Sequence, residues 1–222
     1  MGVNIAIDGP AGAGKSTIAK KVAKNRGYIY VDTGAMYRAM ALHMIRNEIS
    51  AEDTLAIEEA CEQADISIRY MDGEQVVLLN GENVNAYLRT EEVGNMASAS
   101  SVNGKVRAKL QLLQQKLAAE SDVVMDGRDI GTSVLPNAQV KIYLTASSYV
   151  RAKRRYDELS AKGESADLDK IEADIIERDH RDMTRELNPL KQADDAILVD
   201  SSDMTIEEVV TRIESVIEEK LA

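Results

Sequence analysis

A glycine-rich segment near the start of the chain has the composition of a phosphate-binding loop. It fits G-x-x-x-x-G-K-[ST] at every fixed position, and its residues are Gly9, Pro10, Ala11, Gly12, Ala13, Gly14, Lys15, Ser16 and Thr17. In such a loop, backbone N–H groups surround phosphate oxygens, the lysine reaches the β- and γ-phosphates, and the serine hydroxyl binds Mg²⁺. The alternative is a glycine-rich turn with a surface lysine, which a match of this length disfavours. The segment therefore predicts a site for a nucleoside triphosphate.

The elements around this loop are those that such a site requires. Val3 to Ile7 is a short apolar run typical of a buried strand, and Ser16 to Arg26 has a helical pattern. Strand, loop and helix in this order present a helix N-terminus to the phosphates. Four later apolar runs, at 28–31, 123–125, 140–144 and 196–199, are separated by helical stretches and predict a parallel, doubly wound sheet.

Aspartate directly follows four of the five predicted strands. These residues are Asp8, Asp32, Asp126 and Asp200. A single aspartate at such a position could be a strand terminator or a helix cap. Because ligands gather at the carboxyl ends of parallel strands, the repetition favours one shared polar rim.

Length and charge limit the class of protein. The chain has 222 residues, 44% of them apolar, which is enough for one sizeable α/β domain. Its net charge of −11 disfavours a nucleic-acid binder, so arginines that hold phosphates must be concentrated locally. Cys61 is the only cysteine and no apolar run approaches the roughly 20 residues of a membrane span. We expect a cytoplasmic protein without a secretory signal.

A short region between the second and third predicted strands departs from this rhythm. Ile66 to Tyr70 and Gln75 to Asn80 look like strands, and the pairs Asp72-Gly73 and Asn80-Gly81 are hairpin signals. Residues of about 66–90 are therefore predicted to form a small antiparallel β insert. By itself, such an insert could be decoration.

Basic residues follow two of the predicted strands, a single arginine after the second strand and a cluster after the fourth. Arg38 lies about one turn inside the helix that follows Asp32, where its side chain can reach back over the strand ends or stay solvated. Arg151, Lys153, Arg154 and Arg155 form the densest basic cluster. Such a cluster is usually a solvated helix face, but its place after the fourth strand favours a mobile lid.

A helix predicted over Leu168 to Leu187 changes character along one face. Leu168, Ile171 and Ile175 form an apolar stripe, which continues as Arg178, Asp182 and Arg185. A face that changes in this way is expected to leave the core and enter a cleft, although an Arg178–Asp182 ion pair would explain part of it. His180 points to the opposite side, so we reject it as a catalytic residue.

Four motifs together make the chain resemble the nucleoside monophosphate kinases, and most of all the bacterial-type cytidylate kinases. They are residues 9–17, Asp32-Thr33-Gly34-Ala35-Met36-Tyr37-Arg38, Asp126-Gly127-Arg128-Asp129-Ile130-Gly131-Thr132 and Glu177-Arg178-Asp179-His180-Arg181-Asp182. The resemblance implies a single kinase domain with the three-layer α/β P-loop fold of that family, which has a five-stranded parallel core sheet, a small antiparallel β insert and a short helical lid. The implied parts are a core at about 1–32, 104–148 and 186–222, a monophosphate-binding part at about 33–103, a lid at about 149–166 and a charged cleft-lining helix at about 167–187.

The resemblance also implies a reaction and a role for each site residue. ATP would phosphorylate CMP and dCMP, with Mg²⁺ at Ser16 and Asp126 reached through a water. Catalysis would fall to Lys15, Arg128, Arg154 and Arg185, with Arg154 near the adenine or the transferring phosphate. The acceptor phosphate would bind Arg38, Arg128 and Arg185, and the nucleoside would contact Thr33, Tyr37, Ser98, Arg107, Asp129, Arg178 and Asp182. Within that set, Thr33, Arg107 and Asp129 would read the cytosine, and Ser98, Arg178 and Asp182 would contact the ribose.

Two other functions remain open from the sequence. One is a kinase for UMP, another nucleotide or a metabolite, which a comparison of acceptors would distinguish. The other is a GTPase-like switch or a regulatory ATP-binding module, against which the absence of an N/T-K-x-D guanine-reading motif counts. For the kinase, the expected partners are small nucleotides only, with no nucleic acid and no membrane, and the expected state is a monomer.

Overall fold

The computed structural model describes residues 2–71 and 73–222 of the chain. In chain order its elements are β1 (Asn4–Asp8), α1 (Lys15–Arg26), β2 (Ile29–Asp32), α2 (Thr33–Arg46), α3 (Thr54–Gln63), β3 (Ile66–Met71), β4 (Glu74–Leu79), β5 (Glu82–Asn83), α4 (Glu91–Ser100), α5 (Gly104–Glu120), β6 (Val123–Gly127), β7 (Val140–Thr145), α6 (Ser148–Ala161), α7 (Leu168–Thr184), β8 (Ile197–Asp200) and α8 (Ile206–Leu221). Two short turns complete them, a 3₁₀ turn at Asn85–Tyr87 and a π-helical turn at Ile130–Val134.

The larger sheet of the described residues has five strands in the order β2-β6-β1-β7-β8. β1 runs parallel to β7, with Ile7 opposite Ile142, and β7 runs parallel to β8, with Ile142 opposite Ile197. Ile5, Ile7 and Leu144 are fully buried in this sheet, as expected for strands covered on both faces. The parallel five-stranded sheet predicted from the apolar runs is confirmed, and most strand ends move by about one residue.

The smaller sheet is the predicted β insert, with the order β3-β4-β5 and antiparallel pairing. Of the two hairpin signals, Asp72-Gly73 includes Asp72, which lies outside the described residues. At the other, Asn80 and Gly81 have φ angles of 50° and 83°. Positive φ at both central residues is what a tight two-residue hairpin requires.

The helices begin where polar side chains cap them. The Asp32 carboxylate accepts a hydrogen bond from Ala35 N–H at 2.9 Å, so α2 starts immediately after β2. Asp53 caps α3 in the same way, which is why α3 begins at Thr54. The charged helix α7 ends at Thr184, because Arg185 has an extended backbone with ψ of 142°. The predicted continuation to Leu187 is therefore wrong.

The chain forms two compact units. The first unit is Ile29–Val123 with the chain start, and it contains the β insert. The second unit is Val3–Tyr28 with Val124–Ala222, and it contains the glycine-rich loop and α7. The candidate site residues are distributed over both units.

Candidate functional site

The glycine-rich loop needs its glycines for space and for backbone conformation. A Cβ at Gly9 would collide with the carbonyl oxygen of Leu144, and Gly12 and Gly14 have φ angles of 74° and 86°. Side chains other than hydrogen are strained in that conformation. The loop therefore keeps a close-packed backbone path that leads directly into α1 at Lys15, and the N–H groups of a helix N-terminus attract anions.

Lys15 is held at the loop and not in solvent. Its ammonium group donates a hydrogen bond to the carbonyl oxygen of Pro10 at 2.7 Å, and its side chain is buried. Burial holds the pKa of Lys15 well below its usual value, and the positive charge of Arg128 adds to this effect. An ammonium group held beside the glycine-rich loop is a favourable place for a phosphate oxygen.

Ser16 and Asp126 come together beside the loop. The Ser16 hydroxyl donates to the Asp126 carboxylate at 3.2 Å, and Asp126 is buried. Serine and aspartate oxygens are the hard ligands that Mg²⁺ prefers. The pair fits the metal site that the sequence predicted for these two residues.

Asp8 anchors the segment that carries Arg128 and Asp129. Its carboxylate accepts hydrogen bonds from Ile130 N–H at 2.8 Å and Gly131 N–H at 2.7 Å. Burial raises the pKa of Asp8 to about 6, although the two amide bonds oppose that rise. Asp8 therefore ties the end of β1, just before the glycine-rich loop, to the start of the π-helical turn.

The predicted phosphate- and nucleoside-binding residues of the second unit form one network of opposite charges. Arg128 Nε donates to Asp182 Oδ2 at 2.8 Å, and Arg185 Nη2 donates to Asp129 Oδ1 at 3.4 Å. Arg185 Nη1 lies 3.6 Å from Asp182 Oδ1. Burial alone would raise the pKa of Asp182, but the charge and hydrogen bond of Arg128 hold it below its usual value.

The predicted cleft-facing side of α7 is partly visible in this network. Asp182 and Arg185 are buried, Arg178 is half-buried, and His180 is exposed on the opposite side as expected. The charge of Arg178 contributes to lowering the pKa of both Asp182 and Lys15, which places Arg178 near the loop and the network. Arg185 also donates to the carbonyl oxygen of Asn188 at 2.8 Å, and this contact accompanies the early end of the helix.

Arg151 behaves differently from the other members of the basic cluster. It is only 6% exposed and donates to the carbonyl oxygens of Ala11 at 2.8 Å and Ala146 at 2.9 Å. Its guanidinium also pairs with Asp179 at 2.6 Å, and Asp179 accepts from Ala11 N–H at 3.3 Å. Sequence reasoning grouped Arg151 with the mobile lid, whereas the structure gives it the role of a clamp on the loop.

The rest of the basic cluster lies at the surface of α6. Arg154 donates to the carbonyl oxygen of Ser201 at 2.6 Å and to its hydroxyl at 3.3 Å. Lys153 pairs with Asp157 and Arg155 with Glu158 on the same helix. Among the cluster, Arg154 is the one that sequence reasoning assigned to the donor side of the site.

The first unit holds the remaining predicted nucleoside contacts. Thr33 is buried at the start of α2, and a Cβ at Gly34 would lie 3.4 Å from Arg38 Nη1. The guanidinium of Arg107 lies 5.6 Å from the ring centre of Tyr37 and donates to the carbonyl oxygen of Ser101 at 3.1 Å. Thr33, Tyr37 and Arg38 thus share the first turns of α2, with Arg107 packed on Tyr37.

Ser98 is the predicted contact that the structure connects least to the others. Its hydroxyl oxygen is buried on α4 and has no hydrogen-bond partner within residues 2–71 and 73–222. A buried hydroxyl normally finds a partner, so this one is suited to a polar group of a ligand.

Sequence reasoning placed Asp8 on the polar rim and Arg151 in the lid, and it gave no role to Gln75 or Asp179. All four are buried polar residues that contact the predicted motifs. Asp8 and Asp179 lay inside or beside those motifs, which was a usable signal. Arg151 and Gln75 contact residues 140 and 43 positions away in the chain, and no local pattern marks such contacts.

A protein-family comparison decides the class of the chain. The cytidylate kinase family model matches residues 5–219. The chain belongs to the cytidylate kinase family. Its similarity to the cytidylate kinase of Caldicellulosiruptor bescii is 51% identity over 211 residues, covering 95% of this chain and 93% of that one. It is 48% identical to the cytidylate kinase of a Geobacter species (strain M21) over 222 residues, which cover 100% of this chain and 95% of that one.

A solved structure supports the fold independently of the family match. A gluconokinase from Sinorhizobium meliloti superposes with a TM-score of 0.50 at 14% identity, covering 98% of this chain and 93% of that one. At this identity the likeness concerns the fold alone. The described helices include none with the length and apolar character of a membrane span.

Proposed function

We propose that this protein transfers the γ-phosphoryl group of ATP directly to CMP and dCMP and so forms CDP and dCDP. The observation that carries the proposal is the network of Arg128, Asp129, Asp182 and Arg185, which lies in the same unit as the phosphate-binding loop of a cytidylate kinase family member. Such a set supplies both fixed positive charge for phosphates and carboxylates for a nucleoside.

The donor phosphates bind residues 9–17, with Lys15 at the β- and γ-phosphates. Ser16 would hold Mg²⁺, and Asp126 would do so either directly or through a water. Mg²⁺ needs only one or two protein oxygens when phosphates and waters complete its shell, so the single carboxylate is sufficient. When bound, the ion neutralises charge on the β- and γ-phosphates.

The acceptor phosphate binds Arg38, Arg128 and Arg185. Arg128 and Arg185 are already ordered by Asp182 and Asp129, so their positions are set before the nucleotide arrives. A phosphate dianion competes well for a guanidinium because charge-assisted bonds to it are strong and two-pronged. On binding, the acceptor phosphate therefore replaces the carboxylates of Asp129 and Asp182 as the partner of the two arginines. The two carboxylates are then available to the nucleoside.

Polar side chains recognise the base and the ribose of the nucleoside. Asp129 accepts a hydrogen bond from the exocyclic amino group of cytosine. Thr33 and Arg107 contact the same base, and Tyr37 packs against Arg107. Uracil has a hydrogen-bond acceptor at that position. This acceptor would face the buried Asp129 carboxylate, and no hydrogen bond could form between them. Ser98, Arg178 and Asp182 contact the ribose.

The reaction needs no strong base. The second pKa of a phosphate monoester is about 6, so the acceptor is largely a dianion at neutral pH. Lys15, Arg128 and Arg185 then act by positioning and by stabilising charge on the transferred group. Arg154 belongs to the lid at about 149–166. Arg151 anchors the start of that segment at the loop, and closure of the rest excludes the water that would otherwise hydrolyse ATP.

The proposal extends to the organisation of the chain. It is one kinase domain with a core at about 1–32, 104–148 and 186–222 and a monophosphate-binding part at about 33–103. We propose a cytoplasmic monomer that uses free nucleotides. A net charge of −11 supports the exclusion of nucleic acid, and light scattering of the purified protein tests the monomer.

An acceptor panel tests the function. ADP release is measured with ATP, Mg²⁺ and, in turn, CMP, dCMP, UMP and AMP. We expect kcat/KM for CMP to exceed that for UMP by about 100-fold or more, because the wrong base leaves buried groups unpaired. Equal use of UMP or AMP would contradict the cytosine assignment. Slow ATP hydrolysis that no acceptor changes would contradict the transfer reaction itself.

A further inference from the structure

Strand β2 lies at the edge of the larger sheet. Two side chains of the β insert form hydrogen bonds with its backbone. Gln75 on β4 accepts from Asp32 N–H at 2.9 Å and donates to the Asp32 carbonyl oxygen at 3.2 Å. Two bonds to the N–H and C=O of one residue imitate a hydrogen-bonded pair in an antiparallel ladder. One side chain therefore replaces the neighbouring strand that an edge residue otherwise lacks.

A second contact of the insert reaches the same strand two residues earlier. Tyr70 on β3 donates its hydroxyl to the carbonyl oxygen of Tyr30 at 3.0 Å. Tyr70 and Gln75 are directly opposite each other in the β3–β4 pairing. The insert thus contacts β2 through one cross-strand pair, with Gln75 at the end of the strand and Tyr70 inside it.

The residue that Gln75 holds controls the start of α2. The Asp32 carboxylate caps α2 through Ala35 N–H and pairs with Arg89 at 3.1 Å. Thr33, Tyr37 and Arg38, the acceptor-side residues of α2, follow at once. A rotation of the Asp32 peptide would move the cap and so the first turn of the helix.

Gln75 is itself firmly placed. It is 9% exposed, and Asn85 donates its side-chain amide to the Gln75 carbonyl oxygen at 2.8 Å. The same Asn85 side chain accepts from Val77 N–H at 2.9 Å. A buried amide with both ends bonded has a fixed orientation, which is what a positioning group needs.

We propose that Gln75 is a positioning residue for the acceptor nucleotide, acting through Asp32 on the first turn of α2. This inference rests on the proposed function, since it assigns Gln75 to the CMP side of that reaction and not to the ATP side. It gives the β insert a part in substrate binding, beyond that of decoration on the sheet.

The test compares Gln75→Met with Tyr70→Phe. Methionine keeps the length of glutamine but removes both bonds to Asp32, whereas Tyr70→Phe removes one bond to the same strand away from Asp32. We expect Gln75→Met to raise KM for CMP about 10-fold while KM for ATP stays within about 2-fold, since a small misplacement of binding groups has effects of this order. Tyr70→Phe should leave both KM values within about 2-fold.

Each outcome decides between the possibilities. An unchanged KM for CMP in Gln75→Met, equal increases for CMP and ATP, or an equal effect of Tyr70→Phe would overturn the positioning role. If Gln75→Met does not fold, Gln75→Glu, which keeps the acceptor for Asp32 N–H and loses the donor, should raise KM for CMP selectively. A normal KM in that variant would also overturn the role. Wild-type protein without CMP turnover would instead refute the proposed function.

Discussion

The two units hold their candidate residues by different means. In the second unit, cations and carboxylates hold one another, as in Arg128 with Asp182 and Arg151 with Asp179. In the first unit, neutral groups hold the Asp32 backbone and the Arg107 side chain, namely the Gln75 amide and the Ser101 carbonyl oxygen, while the Asp32 carboxylate also pairs with Arg89. The second unit holds the glycine-rich loop and two of the three proposed acceptor-phosphate residues, Arg128 and Arg185, so charged partners predominate where most of the proposed phosphate contacts lie.

The comparison also predicts how each unit responds to damage. Removing one member of a buried ion pair leaves a charge without compensation, which is costly. Removing a neutral amide costs less stability but shifts the groups that it positions. Variants of Lys15 and Arg151 in the second unit should therefore affect transfer or stability strongly, and variants of Gln75 in the first unit should affect acceptor binding selectively.

The largest effect is expected for Lys15→Ala. Losing the cation at the β- and γ-phosphates should lower kcat by about 10³-fold or more, in line with the loss of a main charge-stabilising group. Burial disfavours the charged form of Lys15, so removing its ammonium group should cost little stability. Circular dichroism should therefore show an intact fold. Lys24→Ala, an exposed lysine of the same helix, is the control and should keep wild-type kcat. Near-normal kcat in Lys15→Ala would remove the loop from the mechanism.

The next effect concerns the clamp on the loop. Arg151→Met should lower the free energy of unfolding by about 3–5 kcal/mol, because Asp179 stays buried without its cation. Arg151→Met combined with Asp179→Asn should recover part of that loss in urea unfolding. Lys153→Met, from an exposed pair on the same helix, should cost nothing measurable. Additive losses in the double variant would show that Arg151 and Asp179 are not coupled.

A third variant sharpens the division between charge and base reading. Asp129→Ala should reduce the preference for CMP over UMP by about 10- to 100-fold, since one base contact contributes about 1–3 kcal/mol of discrimination. KM for ATP should change little. Asp157→Ala, at an exposed carboxylate of α6, should leave the preference as it is. Equal losses for CMP and ATP would argue against base reading by Asp129.

A further expected effect depends on pH. The folded pKa of Asp8 is about 6 against an ordinary value of 3.8, so the folded protein binds more protons between these values. The stability that protonated Asp8 contributes is then fully present below pH 3.8 and is lost as pH rises towards about 6, by about 2–3 kcal/mol. Asp8→Asn should flatten this part of the pH profile of unfolding. Identical slopes in both proteins would contradict the raised pKa.

Local sequence signals predicted much of the molecule. The glycine-rich loop and the five core strands were predicted because each depends on a short motif or apolar run. The stripe on α7 also placed Asp182 and Arg185 on the buried side and His180 outside. Residue spacing was sufficient to predict these elements, since the pattern of each one depends on its own residues and not on distant segments.

Contacts between distant segments were beyond the sequence. Arg151 was grouped with the arginines of the predicted lid, because nothing in its helix shows that Ala11 and Asp179 lie beside it. Gln75 looked like an ordinary strand residue, because its hydrogen bonds to Asp32 depend on the edge strand of another sheet. The end of α7 was missed for the same reason, since Arg185 leaves the helix where its side chain meets Asn188 and Asp129.

The most direct measurement follows all phosphorus-containing species at once. Wild-type protein, ATP, Mg²⁺ and CMP are mixed and observed by ³¹P nuclear magnetic resonance. The account predicts that ADP and CDP appear together in equal amounts, with little inorganic phosphate. Release of inorganic phosphate at the same rate with and without CMP, and no CDP signal, would contradict it.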